Sequence, residues 1–287
     1  MNNILVTGCN GQLGSEFKNL ASKYTQFKFF FKDTELDISQ KIKLDSFIAA
    51  NKINIILNTA AFTNVNGAEV EQKKADKVNA ESVKNLVYLA EKHDCKLIHF
   101  STDYVYNEST SNPIDEKTLT NPVNYYGISK RKGEVFIEKS RSESIIIRAS
   151  WLYSFYGKNF VNTIIEKSKN ANKIAVVNDQ FGCPTYAKDL AFDTMNILVS
   201  NIKLDSAGKI YNYSNLGSTN WSEFAVKIID ILNLNCVIKE VRTDFFKSNI
   251  KRPKYSITNK NKIINTFNLN IPNWIDSLKT YLTIFKK

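Results

Sequence analysis

The sequence predicts an α/β fold, a doubly wound parallel sheet of the Rossmann type with a smaller α/β substrate-binding domain. Three observations support this prediction. Strand and helix patterns alternate through the first 150 residues, a glycine-rich turn joins the first strand to the first helix, and the alternation loosens after Trp151. Strands separated by helices of this length form βαβ units, and helices then cover both faces of their sheet.

The first part of the chain contains five predicted strands with helices between them. Short apolar runs predict strands at 4–7, 27–31, 53–57, 96–100 and 144–148. Apolar residues three and four apart predict helices over 12–24, 42–51, 75–93 and 129–140. Each helix connects two consecutive strands, as a parallel sheet requires.

The second part contains four predicted helices and two predicted strands. The helices cover 160–170, 188–199, 221–232 and 274–285, and the strands cover 210–214 and 237–241. We expect the helix at 188–199 and the strand at 210–214 to return to the main sheet. The dinucleotide-binding domain then comprises residues 1–150 and about 187–213, and the substrate domain about 151–186 and 214–287.

The composition is that of a soluble globular protein, with 43% hydrophobic and 23% charged residues among 287. No apolar run reaches 18 residues, and no basic stretch precedes the first strand, so we expect neither a membrane anchor nor a signal peptide. The four cysteines lie at least 53 residues apart, which favours reduced thiols in the cytoplasm. Only two histidines are present, so we expect no metal site and no histidine-based hydrolytic triad.

The net charge of +11 comes from 34 lysines and only 5 arginines. Residues 201–287 alone carry 14 basic and 6 acidic groups. A nucleic-acid partner would favour arginine and clustered basic runs, whereas the longest run here is Lys130-Arg131-Lys132. We therefore expect no nucleic-acid partner, and the positive C-terminal part suits either a solvated surface or an anionic small ligand.

The glycines Gly8, Gly11 and Gly14 lie between the first strand and the first helix. In this context Gly8 permits the tight turn, Gly11 lets the backbone approach a pyrophosphate, and Gly14 lets the helix pack on the strand. The helix N-terminus supplies free N–H groups and the positive end of its dipole. The segment therefore predicts a dinucleotide-binding loop.

The end of the second strand carries residues of both charges, Lys32 and Asp33. An acidic residue there binds ribose hydroxyls, whereas a cation accepts a 2′-phosphate, so the choice between NAD and NADP stays open. Asp37 and Ile38 open the next segment and are candidates to flank the adenine. Small residues through Ala61 end the third strand, as a backbone lying against a cofactor requires.

The catalytic candidates are Thr102, at the carboxyl end of the fourth strand, and the pair Tyr126 and Lys130. An i, i+4 pair lies on one face of a helix. Lowering a tyrosine pKa from about 10 to near neutrality requires about 4 kcal/mol. A lysine ammonium at about 4 Å supplies about 4 kcal/mol at an effective dielectric constant of about 20. The spacing therefore predicts a tyrosine proton donor whose pKa the lysine lowers.

The chain resembles the dTDP-4-dehydrorhamnose reductase family of the extended short-chain dehydrogenase/reductase superfamily. The motifs that carry the resemblance are TGCNGQLG (7–14), LNTAAFTNV (57–65), STDYVY (101–106), NPVNYYGISKRKGE (121–134), RASWLY (148–153), NFV (159–161), DQFGCPTYAKDLA (179–191), NYSNLGSTNWSEFA (212–225) and RPKYS (252–256). They follow one another in order over nearly the whole chain.

The resemblance implies hydride transfer from NADPH or NADH to C4 of dTDP-4-dehydro-L-rhamnose, giving dTDP-L-rhamnose. Tyr126 would donate the proton, Lys130 would lower its pKa and hold the nicotinamide ribose, and Thr102 would fix the carbonyl. The expected cofactor-binding residues are Gly8, Asn10, Gly11, Gln12, Leu13, Gly14, Lys32, Asp33, Asp37, Ile38, Ala60, Ala61, Thr63, Tyr126 and Lys130. The expected substrate-binding residues are Thr102, Asp103, Trp151, Asn159, Gln180, Thr185 and Arg252.

One departure concerns the oligomeric state. Some members of the family dimerise through a magnesium ion held by glutamates. Glu16 matches one of these glutamates, but Lys188 stands where another would be. The resemblance is therefore compatible with a monomer or a homodimer, and we expect no metal bridge.

Three alternatives remain. The substrate could be another nucleotide-linked 4-ketohexose, since loops around 152–186 set that choice. The chain could be a regulatory subunit that binds NADP without turnover, although the intact set Thr102, Tyr126 and Lys130 disfavours this. An epimerase or dehydratase is also disfavoured, because Asp103 is followed by Tyr104 rather than by a glutamate.

Overall fold

A six-stranded parallel sheet organises the N-terminal part of the chain. The computed structural model describes residues 2–106, 112–200 and 202–286. The strands of this sheet are β1 (Asn2–Thr7), β2 (Phe27–Lys32), β3 (Ile55–Asn58), β4 (Lys96–Thr102), β5 (Ser144–Ala149) and, later in the chain, β10 (Ile210–Tyr213). Their spatial order is β2-β1-β3-β4-β5-β10. This order reverses direction beside β1, so the predicted doubly wound fold is confirmed.

Helices cover both faces of the sheet. The first half contributes α1 (Gln12–Leu20), α2 (Lys41–Ala50), α3 (Val65–Val70), α4 (Gln72–Asp76), α5 (Ser82–Lys92) and α6 (Tyr125–Glu138). On one face, Phe17 of α1 packs with Ile4 and Val6. On the other, Leu5 packs with Leu86 of α5. Alternate residues of β1 thus serve opposite cores, as the two-residue period of a strand dictates.

Most of the remaining elements build a smaller α/β part. The remaining elements are β6 (Leu152–Tyr153), α7 (Phe160–Ser168), β7 (Lys173–Val177), β8 (Phe181–Gly182), β9 (Thr185–Tyr186), α8 (Ala187–Val199), β11 (Thr219–Asn220), α9 (Trp221–Leu232), β12 (Val237–Val241), α10 (Asn261–Phe267) and α11 (Trp274–Leu282). Of these, α8 and α10 pack on the core of the main sheet. A separate apolar cluster includes Val161, Phe224 and Leu278. The four short strands and β7 were not predicted; two-residue strands carry no readable period, and β7 forms a two-stranded sheet with the predicted strand β12.

Two predicted returns to the main sheet are confirmed. The strand predicted at 210–214 is β10, which pairs in parallel with β5. The helix predicted at 188–199 is α8, whose buried Leu190 and Met195 join the same apolar cluster as Phe17 of α1. These contacts support the division into two domains, which stays a prediction.

Two helices differ from the prediction in ways that matter for the site, one in where it begins and one in its internal geometry. Helix α6 begins at Tyr125 rather than at 129, because the Asn124 side chain caps it by accepting a hydrogen bond from the Gly127 N–H. The helix predicted at 75–93 contains a π-helical turn at Lys77–Glu81. A Cβ on Gly133 would lie 2.1 Å from the Asn79 carbonyl oxygen in that turn, so only glycine allows this close packing of α6.

Candidate active site

A cavity of about 890 Å³ opens at the carboxyl ends of the parallel strands. Fifteen of the predicted site residues line it: Gly8, Gly11, Gln12, Leu13, Asp33, Asp37, Ile38, Ala60, Ala61, Thr63, Thr102, Asp103, Tyr126, Lys130 and Trp151. The others, Asn10, Gly14, Lys32, Asn159, Gln180, Thr185 and Arg252, do not line it. The structure therefore brings the glycine loop and the catalytic candidates to one cavity.

The glycine loop forms the wall of this cavity beside β1. Gly8 has a φ of +64°, and a Cβ there would lie 2.6 Å from the backbone of Ala60. A Cβ on Gly14 would lie 2.5 Å from the Cα of Cys9. Both glycines thus hold the loop against its neighbours, which agrees with the predicted packing of helix on strand.

Gly11 has a different environment. Among the described residues, a Cβ on Gly11 would approach only the Gly8 carbonyl oxygen, at 3.3 Å, and Gly11 itself lines the cavity. As the N-cap of α1 it offers no side-chain hydrogen bond to the first turn. The start of α1, which has no side-chain cap, therefore borders the cavity at Gly11, Gln12 and Leu13. This geometry fits the pyrophosphate of a dinucleotide.

The adenosine end of the expected cofactor site favours Asp33 over Lys32. The Asp33 carboxylate lines the cavity and accepts a hydrogen bond from the Asn10 N–H at 3.0 Å. Asn10 therefore supports Asp33 from outside the cavity. The Lys32 ammonium lies 5.4 Å from the centre of the Phe47 ring, away from the lining.

The catalytic candidates lie at the end of β4 and in the first two turns of α6. The Thr102 hydroxyl is buried and accepts a hydrogen bond from the Tyr104 N–H at 3.2 Å. Gly127 lets α6 approach the same segment, since a Cβ there would lie 2.2 Å from the Tyr104 carbonyl oxygen. The Tyr104 and Tyr126 rings pack edge to face with centroids 5.8 Å apart. Backbone contact thus fixes Tyr126 beside Thr102.

The pKa of Tyr126 corrects one expectation. Burial raises this pKa well above its usual value, with a further increase from Asp103, while the neighbouring Thr102 hydroxyl opposes the change. The predicted lowering of the Tyr126 pKa by Lys130 is wrong. The Lys130 ammonium donates instead to the Phe100 carbonyl oxygen at 2.7 Å and lies 3.3 Å from His99 Nε2. Burial lowers the Lys130 pKa to about 8.

Asp103 is a buried carboxyl at the cavity. It is 2% exposed, and its Oδ2 has no hydrogen-bond partner within the described residues. Burial raises its pKa to about 7, against the opposing effect of the Ser256 and Thr102 hydroxyls. Near neutral pH this group can therefore carry a proton and donate a hydrogen bond into the cavity.

The wall opposite the glycine loop is aromatic. The Trp151 and Trp221 rings stack 3.5 Å apart with planes 8° from parallel. Trp151 has a φ of +46°, a left-handed conformation that a bulky residue rarely adopts. A Cβ on Gly182 would lie 2.5 Å from the Trp151 ring, so the indole is confined on this side too.

Four predicted substrate residues do not line the cavity, and their side chains bond to other parts of the chain. Asn159 caps α7 and donates to the Gln12 side chain at 3.1 Å. Gln180 donates to the Thr243 hydroxyl at 3.0 Å, and Thr185 donates to the Ser150 carbonyl oxygen. Arg252 donates to the Asn66 side chain at 3.1 Å. The charge of Arg252 also lowers the pKa of Tyr104, which burial raises to about 12.

Sequence analysis missed several residues that line the cavity. The most prominent are Ser101, Tyr104, Gly157, Lys158 and Trp221. Ser101 and Tyr104 are neighbours of Thr102, so their position beside a strand end was a usable signal. Trp221 is the first residue of α9, which packs against α7, and no local pattern indicates that contact.

Neither a metal centre nor a membrane-spanning helix was found in the part of the chain that the structure describes. No three histidine, cysteine, aspartate or glutamate side chains among these residues are grouped so as to hold a metal ion. No helix among them is both long and apolar enough to cross a bilayer. The buried Glu16 lies near enough to Lys188 for that lysine to lower its pKa, although burial raises the pKa more.

Comparisons with known proteins agree along the full chain. The dTDP-4-dehydrorhamnose reductase of Aggregatibacter actinomycetemcomitans is 33% identical, over 97% of this chain and 98% of that protein. A crystal structure of a dTDP-4-dehydrorhamnose reductase from Clostridium acetobutylicum has a TM-score of 0.92 and 32% identity, covering 99% of this chain and 100% of its own. The Bacillus anthracis enzyme in complex with NADP has a TM-score of 0.90 and 34% identity, with both chains fully covered.

The family profile described as the RmlD substrate binding domain matches residues 1–287. This match spans both the sheet and the smaller α/β part. The chain therefore belongs to the RmlD substrate binding domain family.

Proposed function

We propose that this chain catalyses the NADPH-dependent reduction of the C4 ketone of dTDP-4-dehydro-L-rhamnose to dTDP-L-rhamnose. The full-length relatives named dTDP-4-dehydrorhamnose reductase support this activity, and the neighbour bound to NADP supports the cofactor. The observation that carries the proposal is that one cavity holds both the uncapped start of α1 and the group Thr102, Tyr126 and Lys130.

The residues divide the work of the reaction. Bound NADPH supplies the hydride. The Thr102 and Tyr126 hydroxyls orient the ketone oxygen by hydrogen bonds, and Tyr126 donates its proton as that oxygen gains negative charge. The raised pKa of Tyr126 keeps the hydroxyl protonated before the step. The Lys130 ammonium then stabilises the tyrosinate that remains, until water returns the proton.

The substrate side follows from the opposite wall. We assign the sugar and its nucleotide to the space between the sheet and the segments 151–186 and 214–287. Trp151 and Trp221 offer an apolar face to a ring, and a protonated Asp103 offers a hydrogen bond to a sugar oxygen. The remaining predicted residues (Asn159, Gln180, Thr185 and Arg252) act from outside the lining through their bonds to Gln12, Thr243, the Ser150 carbonyl oxygen and Asn66.

Location and assembly belong to the same proposal. All four cysteines are buried free thiols, which suits the reducing cytoplasm. We propose a monomer or a homodimer without a metal bridge, because the positive charge of Lys188 beside Glu16 opposes a cation there.

The test follows NADPH and NADH oxidation by absorbance, with dTDP-4-dehydro-L-rhamnose generated in situ. We expect the wild type to oxidise the cofactor. Tyr126→Phe should lower kcat by about 10²–10⁴-fold because the proton donor is lost. Its cofactor affinity should stay within about twofold.

Equal rates for wild type and variant would contradict the assigned donor. Cofactor binding without oxidation would leave two explanations. The substrate would be another nucleotide-linked 4-ketohexose, or the chain would be a regulatory subunit. A panel of nucleotide ketosugars distinguishes them, since a regulatory subunit reduces none.

A further inference from the structure

A row of buried polar side chains crosses the sheet behind Lys130. Thr7, Asn58 and His99 are direct neighbours in register on β1, β3 and β4. None of them is more than 1% exposed. Thr7 Oγ1 lies 2.7 Å from Asn58 Oδ1, Asn58 Nδ2 lies 2.8 Å from His99 Nδ1, and His99 Nε2 lies 3.3 Å from the Lys130 Nζ. The row is thus a continuous chain that ends on the ammonium.

These polar side chains are buried beside an apolar core, where they would lower the stability of the fold if they had no hydrogen-bond partners. Two residues earlier on the same strands, and on the same face of the sheet, lie Leu5, Ile56 and Leu97 of an apolar core. Polar groups buried in such a core destabilise the fold unless their hydrogen bonds are complete. His99 itself does not line the cavity, and among the described residues assigned a role above it contacts the lining residue Lys130.

The charge state of His99 limits what the chain can do. Burial, with a smaller contribution from the charge of Lys130, holds the His99 pKa well below its usual value, so the imidazole is neutral. A neutral imidazole has one N–H donor and one acceptor nitrogen. Its two nitrogens therefore play opposite roles toward Asn58 and Lys130.

Two arrangements satisfy the whole chain. A lysine ammonium only donates, so a charged Lys130 requires Nε2 of His99 to accept and Nδ1 to carry the proton. The Asn58 amide oxygen then faces Nδ1 and its nitrogen faces Thr7. The reverse amide orientation is the one in the structure, where Thr7 donates to Asn58 Oδ1 and Asn58 Nδ2 faces His99 Nδ1. It places the proton on Nε2 and requires a neutral Lys130 amine, so a charged Lys130 requires the Asn58 amide to be turned over. The state of Lys130 is thus coupled to the tautomer of His99.

We propose that His99 is a positioning residue for Lys130: oriented by Asn58 and Thr7, its imidazole accepts a hydrogen bond from the ammonium and favours its charged form. The Phe100 carbonyl takes a second ammonium N–H, so the third points toward the cavity that Lys130 lines. The consequence for turnover rests on the proposed function, in which the ammonium stabilises the tyrosinate of Tyr126.

Other charged and titratable groups face Lys130. Glu134 on α6 raises the Lys130 pKa but is itself paired with Arg148 of β5, at 2.7 Å. The Tyr106 hydroxyl accepts from the same Arg148 at 2.7 Å. On the cavity side lie Asp103, Tyr104 and Tyr126. A titration of Lys130 must therefore be compared between variants that leave all of these groups unchanged.

The direct test is ¹⁵N NMR of the imidazoles in the wild-type protein. The chain has only two histidines, His93 and His99, and His93→Gln assigns the signals. We expect His99 to be neutral with its proton on Nδ1 at pH 7, and to shift toward the Nε2–H tautomer as Lys130 deprotonates. An Nε2–H tautomer or an imidazolium at pH 7 would overturn the proposal. This readout needs no substrate, so it survives a failure of the proposed function.

The functional test compares His99→Gln with His99→Met. Glutamine places an acceptor oxygen near the position of Nε2, whereas methionine fills similar volume without one. We expect the alkaline limb of the kcat–pH profile to move down by about one pH unit in the Met variant only. The KM for the sugar should stay within about twofold in both. Identical limbs in both variants would refute the role of His99; if the Met variant does not fold, the wild-type NMR decides.

Discussion

The two walls of the cavity are built from different parts of the chain. The wall beside β1 is largely backbone: Gly8, Gly11 and the residues around Ala60 expose peptide groups and little side chain. The opposite wall is made of large rings, with Trp151 stacked on Trp221 and Phe160 packed 4.5 Å from Trp221. A backbone wall is sensitive to any added atom, whereas a side-chain wall is sensitive to the loss of its packing partners.

The largest effect expected from this contrast lies within the glycine loop. Gly11→Val should keep the fold, because its φ of −71° suits any residue, at a cost of about 1 kcal/mol for the lost glycine cap. NADPH affinity should fall more than about 100-fold because the valine occupies the pyrophosphate space. Calorimetric binding and the Tm provide the two measurements.

Gly8→Val is the matched variant on the same loop. The left-handed φ and the 2.6 Å approach to Ala60 should prevent folding or lower the Tm strongly. Normal NADPH binding by Gly11→Val would contradict the separate functions assigned to the two glycines. A Tm for Gly8→Val equal to that of Gly11→Val would contradict them too.

On the aromatic wall, Trp221→Leu should raise the KM for the nucleotide sugar by about tenfold. The reason is that Trp151 loses its stacking partner, worth about 0.5–1.5 kcal/mol beyond buried area. The Kd for NADPH should not change. Phe245→Leu is the control, since this ring is 52% exposed and does not line the cavity. A parallel change in NADPH affinity would show that the two walls are not independent.

Asp103 allows a test of the electrostatics between the walls. Its pKa is raised from 3.8 to about 7, so between these values the folded state holds a proton that the unfolded state has lost. Stability must therefore fall as pH rises through that window. Replacing Asp103 with Asn should remove up to about 4 kcal/mol of this decline.

Urea unfolding at pH 4, 6 and 8 measures the difference. Asp276→Asn is the matched control because Asp276 is an exposed residue on α11. Curves for Asp103→Asn that parallel those of the wild type would mean that the carboxyl is ionised in the fold throughout.

The smallest expected effect concerns the adenosine end of the backbone wall. Asp33→Ser should improve NADPH affinity a few-fold relative to NADH, because it removes a carboxylate near the expected 2′-phosphate. Lys32→Ala should leave the ratio unchanged, since the ammonium lies over Phe47. Steady-state KM values for both cofactors measure the ratio. A preferential loss of NADPH in Lys32→Ala would restore the lysine as the phosphate ligand.

How far each wall could be predicted follows from sequence distance. The glycine loop needs only residues 8–14, so strand, turn and helix signals suffice. Tyr126 and Lys130 share one helix, and Thr102 ends a strand whose direction is fixed by the parallel sheet. Trp151 and Trp221 are 70 positions apart and meet through the packing of α7 on α9. No periodicity encodes that meeting.

The pKa of Tyr126 shows a different limit. Residue spacing placed Lys130 on the correct helix face, but the pKa depends on burial and on where the ammonium donates. In the structure the Lys130 ammonium donates to the Phe100 carbonyl oxygen and lies 3.3 Å from His99 Nε2. Three-dimensional environment, rather than spacing, therefore sets the charge state.

The stacked indoles also give the molecule a built-in optical signal. The chain has three tryptophans, and two of them lie 3.5 Å apart and almost parallel at the cavity. Transitions of indoles this close couple and produce a paired circular dichroism band that an isolated tryptophan lacks. A ligand that packs against these rings changes the band, so sugar binding can be followed in the unlabelled protein.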